Sequence, residues 1–336
     1  MNIIHFQKLI VWSDERDQPV HLYDAYTGTV RATYRPYNSL DEMESPTTVC
    51  FANNGQQIVM GGFRTERMLQ VFDLGRPGRD ASTVLRLGKT RRSKDGQKGL
   101  VSALASASES GILAVGAYSP GSIYLYDLRA QSTQVAEVLV SGTCVVGHGK
   151  AHSRKRKHFA DEEPAEDALN FSAAKVKWYQ SRARGGVTQL EFAQDYQYIY
   201  SASRRSNAIL QWDLRRLSTS SFCPGVASYE TDSNTNQRIE FSLKGDQLWV
   251  GGRDKCIRVY DQKCPDSVVD TIKGFHDVVN GVSLTQLGER SLLAVACGSR
   301  HFPTEDEWEL DNPHQSLVQA TQGTMHIYDV EIQPSS

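Results

Sequence analysis

Six short segments ending in an aromatic residue followed by aspartate recur along the chain, and they constrain its fold more than any other feature. They are Val20-His21-Leu22-Tyr23-Asp24, Leu69-Gln70-Val71-Phe72-Asp73, Ile123-Tyr124-Leu125-Tyr126-Asp127, Ile209-Leu210-Gln211-Trp212-Asp213, Ile257-Arg258-Val259-Tyr260-Asp261 and Met325-His326-Ile327-Tyr328-Asp329. Apolar residues alternate with others at period two in each, which is the pattern of a strand with one buried face. Two more strand-like segments lie upstream of most of them, for example Val187 to Phe192 and Tyr198 to Ala202, or Arg238 to Leu243 and Gln247 to Gly251. Turn formers separate the strands: Asn53-Asn54-Gly55, Lys244-Gly245-Asp246 and Gln286-Leu287-Gly288. Three strands plus a return strand, repeating every roughly 40 to 50 residues, is the blade spacing of a WD-type β-propeller. No long amphipathic helical pattern competes with it.

The expected fold is thus all-β, a WD40-type β-propeller forming one domain over residues 1–334 of the 336. Six blades are visible, and a seventh is expected because an open ring leaves unpaired strand edges. Lys8 to Ser13 and Val20 to Asp24 read as the last inner strands of a blade already under way at Met1, so the first blade is expected to be incomplete. A closed ring of six blades is the alternative. Residues 148–180 are expected to be a charged, disordered loop insertion, since His148 to Ala168 has no apolar periodicity and carries a basic run followed by an acidic one. A shorter acidic insertion, Pro303 to His314, precedes the last strand.

The chemistry-bearing residue types form no catalytic or metal pattern. Cys50, Cys144, Cys223, Cys256, Cys264 and Cys297 are scattered, and the one close pair, Cys256 and Cys264, fits no common zinc spacing. They read as buried thiols. His148, His152 and His158 fall in the charged insertion with no cysteine nearby. No phosphate-binding glycine loop opens a helix, and no nucleophile or acid–base pair stands out. No enzyme activity, cofactor, metal or small-molecule substrate is expected. No apolar run approaches the roughly 18 residues of a membrane span.

The charge arrangement is more informative than the net charge of -2. In a propeller of this type, the loops joining second to third strands and those leading into first strands open on one face. Those loops carry Arg64 and Arg67, then Lys89, Arg91, Arg92, Lys94 and Lys98, then Arg182 and Arg184, Arg204 and Arg205, Arg238, Arg253 and Lys255, and finally Arg300. The opposite turns supply Asp195, Asp246 and Glu289. A basic rim attracts phosphate over long range, and arginine pairs with phosphate bidentately or stacks on a base. Asn236, Gln237, Arg238 and Asn280 lie near the central channel, where they serve either to hydrogen-bond bases or to cap strand ends between blades. The run Arg154-Lys155-Arg156-Lys157 has the character of a nuclear localisation signal, or of a flexible arm reaching for RNA phosphates.

Several strings resemble one family. Tyr23 to Met43 (YDAYTGTVRATYRPYNSLDEM), Gly75 to Asp80 (GRPGRD), the loop Gln97 to Ser102, Thr235 to Gly252 (TNQRIEFSLKGDQLWVGG) and the run from Asn280 to Pro303 resemble the telomerase Cajal body protein family in order and spacing. The resemblance extends from about Val20 to Asp329. It implies a nuclear, Cajal body-type RNA-binding propeller that takes box H/ACA-type small Cajal body RNAs (scaRNAs), with RNP proteins as further partners, and that assists RNP localisation or biogenesis, the telomerase RNP included. A related fungal branch points to spliceosomal snRNP biogenesis. The alternative is a protein–protein scaffold in snRNP assembly or pre-mRNA splicing, because fold alone does not choose. This sequence departs from the family where Gly147-His148 is separated from Gly185-Gly186-Val187 by the charged insertion.

Overall fold

In the computed structural model the described residues are 2–6, 9–13, 18–87, 97, 99–107, 110–118, 121–130, 133–138, 185–215, 225–287, 290–299 and 323–330. Regular structure among them is almost entirely strand, with a single helical turn at Leu128–Ala130. The strands form six antiparallel sheets, each a meander of neighbours in sequence. Blades 1 to 6 occupy residues 2–34, 48–86, 101–138, 187–230, 241–272 and 279–330. Their inner strands are Asn2–Phe6, Thr48–Ala52, Val101–Ala107, Val187–Phe192, Phe241–Lys244 and Val279–Leu287, and from blade 1 to blade 6 consecutive inner strands are in contact. The architecture is a WD40-type β-propeller.

Blade 1 has four strands, with Asn2–Phe6 paired to Leu9–Ser13. The first blade, expected to be incomplete at the N-terminus, has four paired strands among the described residues. Blade 6 has three strands among the described residues, ending in Thr324–Val330. The equivalent third strand of blade 4 is buried throughout, whereas Met325 and Ile327 here are 72% and 63% exposed. The seventh blade expected from ring closure is not among the described residues.

The recurring aspartate has a common physical task. Asp24, Asp127, Asp213 and Asp261 each accept a hydrogen bond from the backbone N–H two residues on, at Tyr26, Arg129, Arg215 and Lys263 (2.8 to 3.0 Å). Each carboxylate thereby turns the chain out of the third strand toward the fourth. In blades 3 and 4, Arg129 and Arg215 close onto that same carboxylate, and Arg215 also lies over the Tyr198 ring.

The apolar core is divided into layers between consecutive blades. Val20, Tyr34, Met60 and Phe72 pack between blades 1 and 2; Val59, Leu69, Val115 and Tyr126 between blades 2 and 3; Leu125, Val187, Leu190 and Trp212 between blades 3 and 4. Tyr200, Tyr229, Phe241 and Tyr260 fill the layer between blades 4 and 5, and Trp249, Val259, Val282 and Val295 that between 5 and 6. Polar atoms inside these layers are mostly matched, as by Trp212 Nε1 donating to Ser201 Oγ at 2.9 Å. Cys50, Cys256 and Cys297 are buried thiols, Cys264 is exposed, and Cys144 and Cys223 lie outside the described residues.

Candidate nucleic-acid interface

Three loops on one face of blades 4 and 5 are hydrogen-bonded into a single surface. The loop 204–207 joins the second and third strands of blade 4, the connector 231–240 leads into blade 5, and the loop 251–256 joins the second and third strands of blade 5. Thr231 N donates to Asn207 O (2.8 Å), Ser233 Oγ to Ser206 O (2.5 Å), Arg205 N to Thr235 O (3.2 Å) and Arg253 N to Asp232 O (2.8 Å). Two guanidinium groups are tied into the same frame, Arg205 Nε to Asn236 Oδ1 at 2.8 Å and Arg253 to the Asn234 carbonyl at 2.9 Å. Both partners are neutral, so the charge of each arginine stays available for a ligand anion. Arg205 and Lys255 hold left-handed backbone angles (φ 53° and 62°), which set the turn of their loops at a cost of about 1 kcal/mol each. Arg205, Arg253 and Lys255 are exposed, and none forms an ion pair among the described residues.

Blade 3 brings an aromatic ring to this surface. Tyr118 follows the second strand of blade 3, and the Arg204 guanidinium lies 5.1 Å from its ring centroid. Gly185 and Gly186 run between them. A Cβ on Gly186 would stand 2.3 Å from the Tyr118 carbonyl oxygen, and one on Gly185 2.6 Å from the Arg204 carbonyl oxygen. Gly185 also has φ +113°, which L side chains rarely adopt. The two glycines thus allow the tyrosine and the arginine to meet across the blade boundary.

Other residues on the same face are already engaged. Arg238 Nε pairs with Glu240 Oε1 at 3.1 Å, two residues along an extended segment and so on the same side. Asn280 donates to the Gly298 carbonyl, and its own carbonyl accepts from Glu240 N, so it joins blades 5 and 6. Gln237 N donates to Thr235 Oγ1. On blade 2, the buried Glu44 carboxylate accepts the backbone N–H groups of Arg64 and Thr65, and the Arg64 and Arg67 side chains are exposed. The structure therefore brings Arg204, Arg205, Asn236, Arg238, Arg253 and Lys255 together, and sets Arg64 and Arg67 two blades away. Arg91, Arg92, Lys98, Arg184 and Arg300, and the run Arg154 to Lys157, lie outside the described residues.

No protein-family model matches the chain. Telomerase Cajal body protein 1 of Mus musculus is 31% identical over 327 residues, covering 92% of this chain and 50% of that protein. The Homo sapiens protein of the same name is 30% identical over 305 residues, 88% of this chain and 45% of that protein. The chain is similar to these telomerase Cajal body proteins along about nine-tenths of its own length. A Drosophila melanogaster homologue of telomerase Cajal body protein 1 is 26% identical over 320 residues, 93% of this chain and 47% of that protein. The chain spans about half the length of the curated relatives it matches.

Two features of the chain escape a reading of loop charges. Tyr118 sits in the blade 3 loop equivalent to the one that carries Arg204 and Arg205 in blade 4, and a search of those loops for aromatic residues as well as cations finds it. The second is Glu191. Across the boundary of blades 4 and 5, Gln189 Nε2 donates to Phe241 O (2.7 Å), Phe241 N donates to Gln189 Oε1 (2.9 Å), and Leu243 N donates to Glu191 Oε1 (3.2 Å). These side chains take the place of a backbone ladder between inner strands, and the pairing is invisible in sequence because the partners are 52 residues apart. Burial pushes the Glu191 carboxyl up to about 8, the Leu243 N–H opposing and the Glu240 carboxylate adding to the rise. A carboxyl raised in the folded state contributes fully below its unfolded value near 4.5 and loses that contribution as pH rises through 8. Glu191→Gln keeps the acceptor oxygen and removes the titration. We expect denaturant unfolding to show the variant more stable than the parent by on the order of 2 kcal/mol at pH 8, and indistinguishable at pH 4.

Proposed function

We propose that this chain is a non-enzymatic RNA-binding propeller of the nucleus. It holds small nuclear RNA of the box H/ACA, Cajal body type on the face built by blades 3 to 5, and it serves the localisation or biogenesis of the corresponding RNPs in Cajal body-like structures. The telomerase RNP is one such cargo. The observation that carries this reading is the joined surface of Arg204, Arg205, Arg253 and Lys255, whose charges no carboxylate among the described residues neutralises in an ion pair. The name shared by its relatives ties those proteins to telomerase and to the Cajal body. Phosphate contacts made by such a surface release counterions, so affinity falls steeply with salt.

Arg253→Glu tests it. The substitution lies on an exposed loop and leaves the interblade layers alone. We expect the variant to bind a small Cajal body RNA at least about tenfold more weakly in a titration at fixed salt. The slope of log K against log salt should become shallower by roughly 0.7 to 0.9 for each phosphate the variant no longer neutralises. Unchanged affinity and slope would rule this surface out as the RNA site.

A cavity of about 750 Å³ on the opposite face favours a second reading, a protein scaffold in snRNP assembly or splicing. It lies between blades 4 and 5 and is lined by Asp195, Tyr198, Gln211, Asp246, Gln262 and Lys263. A partner seated there would survive charge reversal on the arginine face.

A further inference from the structure

We propose that Tyr118, backed by Arg204, is a platform on which one unpaired RNA base stacks, and that this face therefore selects single-stranded over paired RNA. The inference rests on the RNA-binding reading above and adds to it a specificity-determining residue and a structural class of RNA.

Tyr118 is 44% exposed although the Arg204 guanidinium already occupies part of its surroundings. Its backbone is fixed, since Tyr118 N donates to Leu100 O at 2.8 Å and Gly186 packs against its Cα and ring. The ring is thus held out from the fold on a rigid support. Among the described residues its hydroxyl makes no hydrogen bond, so no partner accounts for its orientation.

Among the described residues Arg204 differs from the two other arginines that lie over tyrosine rings. Arg79 lies over Tyr37 and pairs with Asp41, and Arg215 lies over Tyr198 and pairs with Asp213. In those two places the cation is neutralised and the stack is a local structural clamp. Among the described residues Arg204 has no carboxylate partner, and its Nε is buried without a hydrogen-bond acceptor. A fixed aromatic ring beside an uncompensated guanidinium offers a base its face and the neighbouring phosphate its charge, which together make a nucleotide site. Arg205 and Arg253 continue the positive charge along the adjoining loops, where the next phosphates would run. A duplex keeps its base faces stacked within itself, so only an unpaired base can use the ring.

The test uses the full chain and two probes, a labelled RNA strand of about 12 nucleotides without self-complementarity and the same strand annealed to its complement. Binding is titrated at fixed salt for the parent, Tyr118→Ala, Tyr118→Leu, Tyr118→Phe and Arg253→Glu, and each variant is checked for parental thermal unfolding. We expect the parent to favour the single strand by about tenfold. Tyr118→Ala and Tyr118→Leu should each lose about tenfold on the single strand and little on the duplex, while Tyr118→Phe stays close to the parent. Arg253→Glu should weaken both probes. Tyr118→Leu retains apolar bulk, so its loss separates stacking from packing even if the alanine variant unfolds. Equal parental affinity for both probes, or parental binding by Tyr118→Leu while Arg253→Glu is weakened, would overturn the stacking platform and leave the RNA reading standing. Failure of the parent to bind either probe would overturn both.

Discussion

Replacing Tyr229 with alanine will destabilise the protein by about 3 to 5 kcal/mol, the range for losing a large aromatic side chain from a tight core. Tyr229 is fully buried in the outer strand of blade 4, where it touches Tyr260 edge to face at 5.6 Å and Tyr200 at 5.9 Å. Its hydroxyl lies 2.9 Å from both Gln211 Oε1 and the Gln262 carbonyl oxygen. The residue therefore ties the third strand of its own blade to the turn that ends the third strand of blade 5. Alanine would open a cavity spanning two blades and leave a buried acceptor without its donor. Denaturant unfolding of the variant should show the midpoint falling with little change in slope. Tyr229→Phe separates the contributions, and its cost should be about 1 to 2 kcal/mol, the share of the hydroxyl.

Gly186→Ala should cost about 2 to 4 kcal/mol, although it adds a single methyl group. The new Cβ would lie 2.3 Å from the Tyr118 carbonyl oxygen and 2.8 Å from the Tyr118 Cα. Backbone cannot yield as a flexible side-chain end does, so blades 3 and 4 must separate locally. The separation falls between Tyr118 and Arg204, and the variant should lose single-stranded RNA affinity at temperatures where it remains folded. A destabilised variant with intact RNA binding would detach the glycine pair from the site. Measuring unfolding and RNA binding on the same preparation distinguishes the two.

The fold is legible in this sequence because one chemical device repeats. An aspartate after an aromatic strand accepts the N–H two residues on, at Tyr26, Arg129, Arg215 and Lys263, and each instance leaves the same local string. The site is legible only in part, for the same reason that the fold is clear: sequence shows local pattern. Loop cations such as Arg204, Arg205, Arg253 and Lys255 can be found by placing loops on one face. Which cations remain unneutralised cannot, because that depends on contacts such as Glu240 beside Arg238. Asn280 fits base recognition and strand capping equally well as a sequence feature, and the Gly298 carbonyl, 18 residues away, is what occupies its amide. Tyr118 acquires its meaning from Gly186 and Arg204, which a long insertion separates from it in sequence.

The most direct test of the RNA-binding account is crosslinking of the protein to RNA in cells, followed by sequencing of the recovered RNA. The parent should enrich small Cajal body RNAs of the box H/ACA type, with crosslinks at unpaired positions. The triple variant Arg204→Glu, Arg205→Glu, Arg253→Glu, expressed to the same level, should lose that enrichment. Recovery of no RNA above background, or full enrichment by the triple variant, would contradict the account and leave the arginine face an ordinary solvated surface.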